Sequence, residues 1–156
     1  MPPDRIVERN ARRVPPSAST RGVAMSDTCE ALVRRHWHEA NRSAWDSFAA
    51  LLSPGLVYEV PQTRERIRGS AGYVDLFRTW PGPWRAEVVN VIAQAGKAVT
   101  VIDFVTATER MTGITFFEIE AGKIARVTDF WPEPYEPPAR FSKYIERYAP
   151  LPTDAS

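Results

Sequence analysis

The stretch Gly113-Ile-Thr-Phe-Phe-Glu-Ile-Glu-Ala-Gly-Lys-Ile-Ala-Arg-Val-Thr-Asp129-Phe-Trp131-Pro132 decides the fold. Two runs of alternating β-branched and aromatic residues meet at Ala121-Gly122, which reads as a hairpin turn. The second run ends in a carboxylate set among apolar neighbours. Strand alternation puts Asp129 on one face with Val127 and Trp131. An inward face would desolvate the carboxyl, raise its pKa and make it a better base near neutral pH. An outward face would make it an ordinary strand-end aspartate paired with an arginine.

Working outward, two more strands precede this hairpin. Trp84–Gln94 is turned by Ala95-Gly96-Lys97, and Ala98–Thr108 is turned by Glu109-Arg110-Met111. Connections this short favour antiparallel pairing. Leu56–Val60 predicts a further strand, followed by polar residues up to Arg68-Gly69. Three helices are predicted around it. The first opens at Ser26-Asp27 with Glu30 in a capping-box pattern and carries Cys29, Leu32, Val33, His36, Trp37 and Ala40 on its apolar stripe. The second opens at Ser43 and carries Trp45, Phe48, Ala49 and Leu52. The third starts near Ser70, carries Tyr73, Leu76, Phe77 and Trp80, and stops at Pro81-Gly82-Pro83. After a proline-rich Glu133–Ala139, a last short helix is predicted near Arg140–Tyr148. Helices segregated to one face of an antiparallel sheet make an α+β fold. The sheet must curl to bury them, and a curled sheet wrapped on three helices forms a cone with a pocket at its wide end.

Length and composition bound the rest. The 156 residues have room for one domain with a real core. A formal net charge of +1 gives no electrostatic case for nucleic acid or an acidic membrane. No apolar run is long enough to span a bilayer. Cys29 is the single cysteine, so no intrachain disulfide forms, which fits a reducing compartment and a cytoplasmic location. Residues 1–25 mix arginines with Pro15, Pro16 and hydroxyl residues. They read as a disordered leader, as a mis-called start with Met25 the true one, or as an organellar transit peptide. The domain is then expected over 26–148, with a flexible tail at 149–156.

Order and local sequence together resemble the nuclear-transport-factor-2-like superfamily (a cystatin-like architecture), and within it the SnoaL-like proteins. The resemblance runs from about Asp27 to Trp131. It rests on the helix pair Trp37–Leu52, on Leu56-Val-Tyr-Glu-Val-Pro61, on Arg68-Gly69 before a helix containing Phe77, and on Phe116–Asp129 with its Gly-Lys-Ile turn. It implies a homodimer through the open face of the sheet. It also implies acid–base chemistry that needs neither metal nor organic cofactor, as in the family's ketosteroid isomerases, polyketide cyclases, limonene epoxide hydrolases and scytalone dehydratases. The fold also hosts pure association modules.

Carried over residue by residue, the resemblance is uneven. The isomerases' oxyanion-hole tyrosine falls at His36, their catalytic aspartate at Val60, and their protonated aspartate near Ile114 or Thr115, so the isomerase set is absent. The last-strand aspartate of the hydrolases and cyclases falls on Asp129, and the hydrolases' water-holding tyrosine on Tyr58. Their neighbouring asparagine is again Val60. Their Arg-x-Asp is met only by Asp103 and Arg110 at another spacing.

The expected catalytic residues are therefore Asp129 to move a proton, with His36 and Tyr58 to polarise or orient an oxygen. Trp131, Val60, Trp37 and Phe116 are the expected substrate-binding residues, although aromatic stripes equally suit a core. His36 and Tyr58 equally suit structural roles. No metal site is expected: His36 and His38 diverge on a helix and have no cysteine cluster to join. Asp103 is read as facing solvent or a dimer partner. The function this implies is a cofactor-free cyclisation, isomerisation or dehydration of a small hydrophobic molecule. The alternative is a non-catalytic binding or association module on the same fold.

Overall fold

A computed structural model describes residues 18–149, with side chains from Thr28 onward. The leader up to residue 17 and the tail from residue 150 lie outside the described residues. Helix α1 spans Ala18–Asn41, α2 Trp45–Ala49 and α3 Ser70–Arg78. The strands are β1 Leu52–Val60, β2 Glu65–Arg68, β3 Trp84–Gln94, β4 Lys97–Thr106, β5 Arg110–Glu120 and β6 Lys123–Phe130. They form one six-stranded sheet of order β2-β1-β6-β5-β4-β3. All neighbours pair antiparallel except β1 and β6, which are parallel. The sheet is mixed, curled and unclosed, and the three helices lie across its inner face.

The core follows the predicted stripes. Cys29, Val33, His36, Trp37 and Ala40 of α1 are buried, as are Phe48 of α2 and Tyr73 and Phe77 of α3. They meet Leu56, Tyr58 and Val60 of β1, Ile102 and Phe104 of β4, Phe117 of β5, and Ile124 and Val127 of β6. Aromatic rings dominate this junction, each removing a large apolar area from water. Asn41 ties α1 to edge strand β3: its Nδ2 donates to the Ala86 carbonyl at 2.8 Å and its Oδ1 accepts the Ala86 N–H at 2.7 Å.

Five local readings are corrected. Leu52, read as part of the second helix, instead opens β1, and α2 stops at Ala49. Helix α1 begins at Ala18, so Ser26-Asp27 lies inside it rather than capping it. After Pro16 only Gly22 opposes helix there, at a cost of about 1 kcal/mol relative to alanine. Ser43 does not cap α2. It adopts φ 54° and the cap position is Ala44, with no side-chain hydrogen bond. The polar stretch read as a loop contains β2, whose backbone pairs with β1 through Tyr58–Ile67 and Val60–Glu65; edge pairing needs no apolar alternation, which is why the pattern hid it. The helix predicted near Arg140–Tyr148 is absent. That segment is irregular, and Phe141, Tyr144 and Tyr148 stand exposed. Their helical spacing has no apolar surface to pack against, and spacing alone does not hold so short a helix.

Candidate functional site

Asp129 faces inward. Its side chain lies on the inner side of β6 with the buried Val127, and only 3% of it reaches solvent. The Tyr58 hydroxyl, from parallel neighbour β1, donates to Asp129 Oδ2 at 3.0 Å. Asp129 Oδ1 is buried without a hydrogen-bond partner. Burial pushes the Asp129 carboxyl up to about 6, against the opposing pull of the Thr115 and Tyr58 hydroxyls. Thr115 is the cross-strand partner of Asp129 on β5. Its hydroxyl faces the carboxylate and helps to hold its charge. Tyr58 is pushed well above the ordinary phenol range, first by burial and then by the Asp129 charge, so it stays protonated as a donor.

His36 is placed differently from the expectation. It is fully buried, and its ring packs against Trp37, Phe48, Tyr73, Phe77 and Phe117. Nε2 shares a hydrogen bond of 2.9 Å with the Tyr73 hydroxyl, and Nδ1 has no partner. Burial lowers its pKa from 6.5 to about 3, so the ring is neutral at physiological pH. Tyr73 in turn packs on Tyr58, with ring centroids 5.2 Å apart. His36 therefore braces the tyrosine that backs Tyr58, and it does not line the pocket.

The pocket opens beside Tyr58. It has a volume of about 770 Å³, within the range of small-molecule sites. Its apolar wall is Val60, Ile67, Leu76, Trp80, Met111 and Trp131, and its rim carries Thr63, Glu65, Arg66, Glu109 and Glu133. Tyr58 forms its floor, and Asp129 lies one side chain beneath, behind the Tyr58 hydroxyl. Trp131 is held by Gln62, whose Oε1 accepts the Trp131 N–H at 2.6 Å while its Nε2 donates to the Trp131 carbonyl at 3.0 Å. A Cβ at Gly113 would stand 3.0 Å from the Trp131 indole, so glycine there lets the ring lie on β5.

The structure thus brings Tyr58, Val60 and Trp131 to the pocket and Asp129 to its base. Trp37 is corrected to a core residue whose Nε1 donates to Thr100 Oγ1 at 3.0 Å. Phe116 is corrected to the outer face of the sheet, where it is 45% exposed and packs on Phe130. Asp103 also faces outward, accepting Arg110 Nη1 at 2.6 Å. Sequence reading missed Ile67, Leu76 and Met111 as pocket walls and Gln62 as the clamp. The pairing of β2 with β1, which carries Ile67 to the pocket wall beside Tyr58, was the signal needed. Among the described residues, no group of three or more His, Cys, Asp or Glu could hold a metal ion. No helix of the described residues is long and apolar enough to cross a membrane.

A curled mixed sheet over three helices, with a buried carboxylate on its inner face, defines the class of cone-shaped α+β folds. Within it, the chain belongs to the SnoaL-like domain family, whose profile matches residues 33–127. A candidate ketosteroid isomerase from Kribbella flavida is similar at 39% identity, over 80% of this chain and 92% of that one, with a TM-score of 0.75. An epoxide hydrolase of the limonene-hydrolase type from M. tuberculosis shares the fold at 19% identity, over 72% and 85% of the two chains, with a TM-score of 0.57. A candidate polyketide cyclase from Xanthomonas campestris shares it at 21% identity, over 69% and 93%, with a TM-score of 0.56. No protein of curated function matches the chain in sequence.

Proposed function

We propose that this protein is an enzyme that moves a proton on a small hydrophobic molecule, through a relay from the pocket to Asp129. The observation that carries this reading is the 3.0 Å hydrogen bond from Tyr58, on the pocket floor, to a buried carboxylate with a pKa of about 6. A substrate proton passes to the Tyr58 oxygen as the Tyr58 proton passes to Asp129. The result is a neutral tyrosine and a neutral carboxylic acid, and no tyrosinate forms. The reverse transfer returns the proton at another atom of the substrate or to a departing hydroxyl. Isomerisation, cyclisation and dehydration all use such a take-and-return step. A homodimer through the outer sheet face accompanies this reading.

The competing reading is a non-catalytic ligand-binding module. It is favoured by one observation: neither Asp129 nor His36 lines the pocket. Loss of α-deuterium from a deuterated bicyclic ketone, 2-decalone, separates the two by NMR. The relay predicts exchange whose rate rises with pH through about 6, as Asp129 ionises. Asp129→Asn and Tyr58→Phe should each reduce it by roughly 10²-fold or more, the usual scale of general-base catalysis. Exchange equal to background, or unchanged in both variants, would leave the binding reading in its place.

A further inference from the structure

Trp131 is a wall of the pocket that the fold holds by both its backbone and its ring. It follows the last residue of β6 and lines the cavity. Gln62 clamps both polar groups of its backbone, accepting the N–H at 2.6 Å and donating to the carbonyl at 3.0 Å. Its indole meets Phe104 edge to face, with ring centroids 5.6 Å apart. Phe104 is buried, and the second indole of the wall, Trp80, rests on it in the same way at 5.2 Å. Gly113 leaves the slot in which the Trp131 ring lies. A Cβ there would stand 3.0 Å from Trp131 Cζ3 and 3.0 Å from Ile102 Cγ1. Carbon atoms pack best at roughly 3.5–4.0 Å, so a larger residue at 113 must displace one or both side chains. Phe104 and Gly113 back the indole on the core side, and the pocket is the side on which it can give way. Trp131 and Met111 also border a second hollow, of about 410 Å³, with Arg110, Thr112, Pro132 and Pro134. The position of the indole therefore decides how much open space the pocket receives. Met111, beside it, is an unbranched and adaptable side chain that yields to a ligand.

We propose that Trp131 sets the breadth of ligand the pocket admits, with Gly113 and Gln62 as positioning residues that act through it. A ring held at both ends does not yield to a molecule one ring too wide, and misfit of this kind is how an apolar pocket discriminates. The selection acts on uncharged ring compounds and sorts them by width beside Tyr58. The inference rests on the pocket reading above: it requires that a ligand enter there, and it does not require Asp129 to move a proton.

Equilibrium dialysis of the full chain with 2-naphthol and 9-phenanthrol, phenols of two and three fused rings, tests it. The readout is the ratio of the two affinities, which a general loss of stability leaves alone. Trp131→Ala should move the ratio towards 9-phenanthrol by roughly tenfold or more, the scale on which apolar pockets sort ligands by size. Gln62→Ala should move it the same way by less, and Gln62 is exposed, so this variant leaves the core untouched. Gly113→Ala should move it the opposite way. Adding Trp131→Phe, a ring without Cζ3, should reverse that change while the contact with Ile102 remains. Should Gly113→Ala fail to fold, the Trp131 and Gln62 variants decide alone. A ratio unmoved by either of those two, or a Gly113→Ala change that Trp131→Phe does not reverse, overturns the inference and leaves the pocket reading intact. Binding of neither phenol by any of the proteins overturns both. A ratio that moves as expected without deuterium exchange upholds this inference and removes the proton relay alone.

Discussion

Asp129→Asn should make the protein more stable at neutral pH. The Asp129 carboxyl is raised by burial from the ordinary 3.8 to about 6. At 1.36 kcal/mol per pKa unit, ionised Asp129 costs the folded state about 3 kcal/mol above pH 6. The sign follows from proton counts. Between 3.8 and about 6 the folded protein holds the Asp129 proton and the unfolded chain has released it, so stability falls as pH rises through this window. Asparagine keeps an acceptor for the Tyr58 hydroxyl but brings an amide donor with no assured partner, which costs about 1 kcal/mol. The net gain near pH 8 is about 2 kcal/mol, or roughly 4–8 °C in Tm for a domain of this size. His36, lowered to about 3, works in the opposite sense and removes stability as pH falls below 6.5. The raw profile is therefore a composite, and the difference between wild type and variant isolates Asp129. Urea denaturation of both proteins at several pH values measures it. The variant's advantage should grow by roughly 2 kcal/mol from pH 4 to pH 8. Parallel profiles, or an Asp129→Asn protein less stable at pH 8, would refute the burial and charge assigned to this group.

Two further outcomes are expected. In nitrogen-15 NMR the His36 ring should stay neutral from pH 8 to pH 5, and a titration midpoint between 6 and 7 would contradict its placement inside the aromatic box. On the outer face, Ile92, Val99 and Phe116 form one cross-strand row. Ile92→Glu should shift the protein from dimer towards monomer in sedimentation with its circular dichroism unchanged; a wild-type monomer, or a variant that stays dimeric, would count against this face.

The elements that pack on themselves were legible from sequence. The hairpin of β5 and β6 reads directly from period-two alternation and Ala121-Gly122, where both residues take positive φ, 49° and 73°. The stripes of α1 and α3 read equally well because the sheet offers each an apolar face to pack on, which the segment 140–148 lacks. What escaped depends on contacts distant in sequence. β2 is an edge strand of charged residues, visible only once β1 is there to pair with it. Phe116 and Phe117 are adjacent aromatics on opposite faces, and nothing in either residue says which is inward. Their cross-strand partners decide: Phe117 faces the core with Val127, and Phe116 faces out with Thr128. The site was half legible for the same reason. Asp129 announced itself by its company, and Tyr58 by alternation with Leu56 and Val60. His36 read as a group that could polarise or orient an oxygen because its helix stripe showed burial without showing how complete the burial was.

The buried polar atoms without partners bear on function more directly than any one residue does. Among the described residues they are His36 Nδ1, Thr115 Oγ1 and Asp129 Oδ1. A buried polar atom left unpaired costs about 1–3 kcal/mol, so proteins rarely keep one without cause. Two of the three belong to directly opposed residues of one ladder, Thr115 and Asp129, and the Thr115 hydroxyl helps to hold the Asp129 charge. The third belongs to the ring that braces Tyr73 against Tyr58. Valine at 115 and leucine at 129 would fill similar space, satisfy the strand pattern and remove the penalty. An association module that uses only the outer sheet face has no need of this arrangement. Two of these three atoms lie behind Tyr58, where the proposed relay would place a proton.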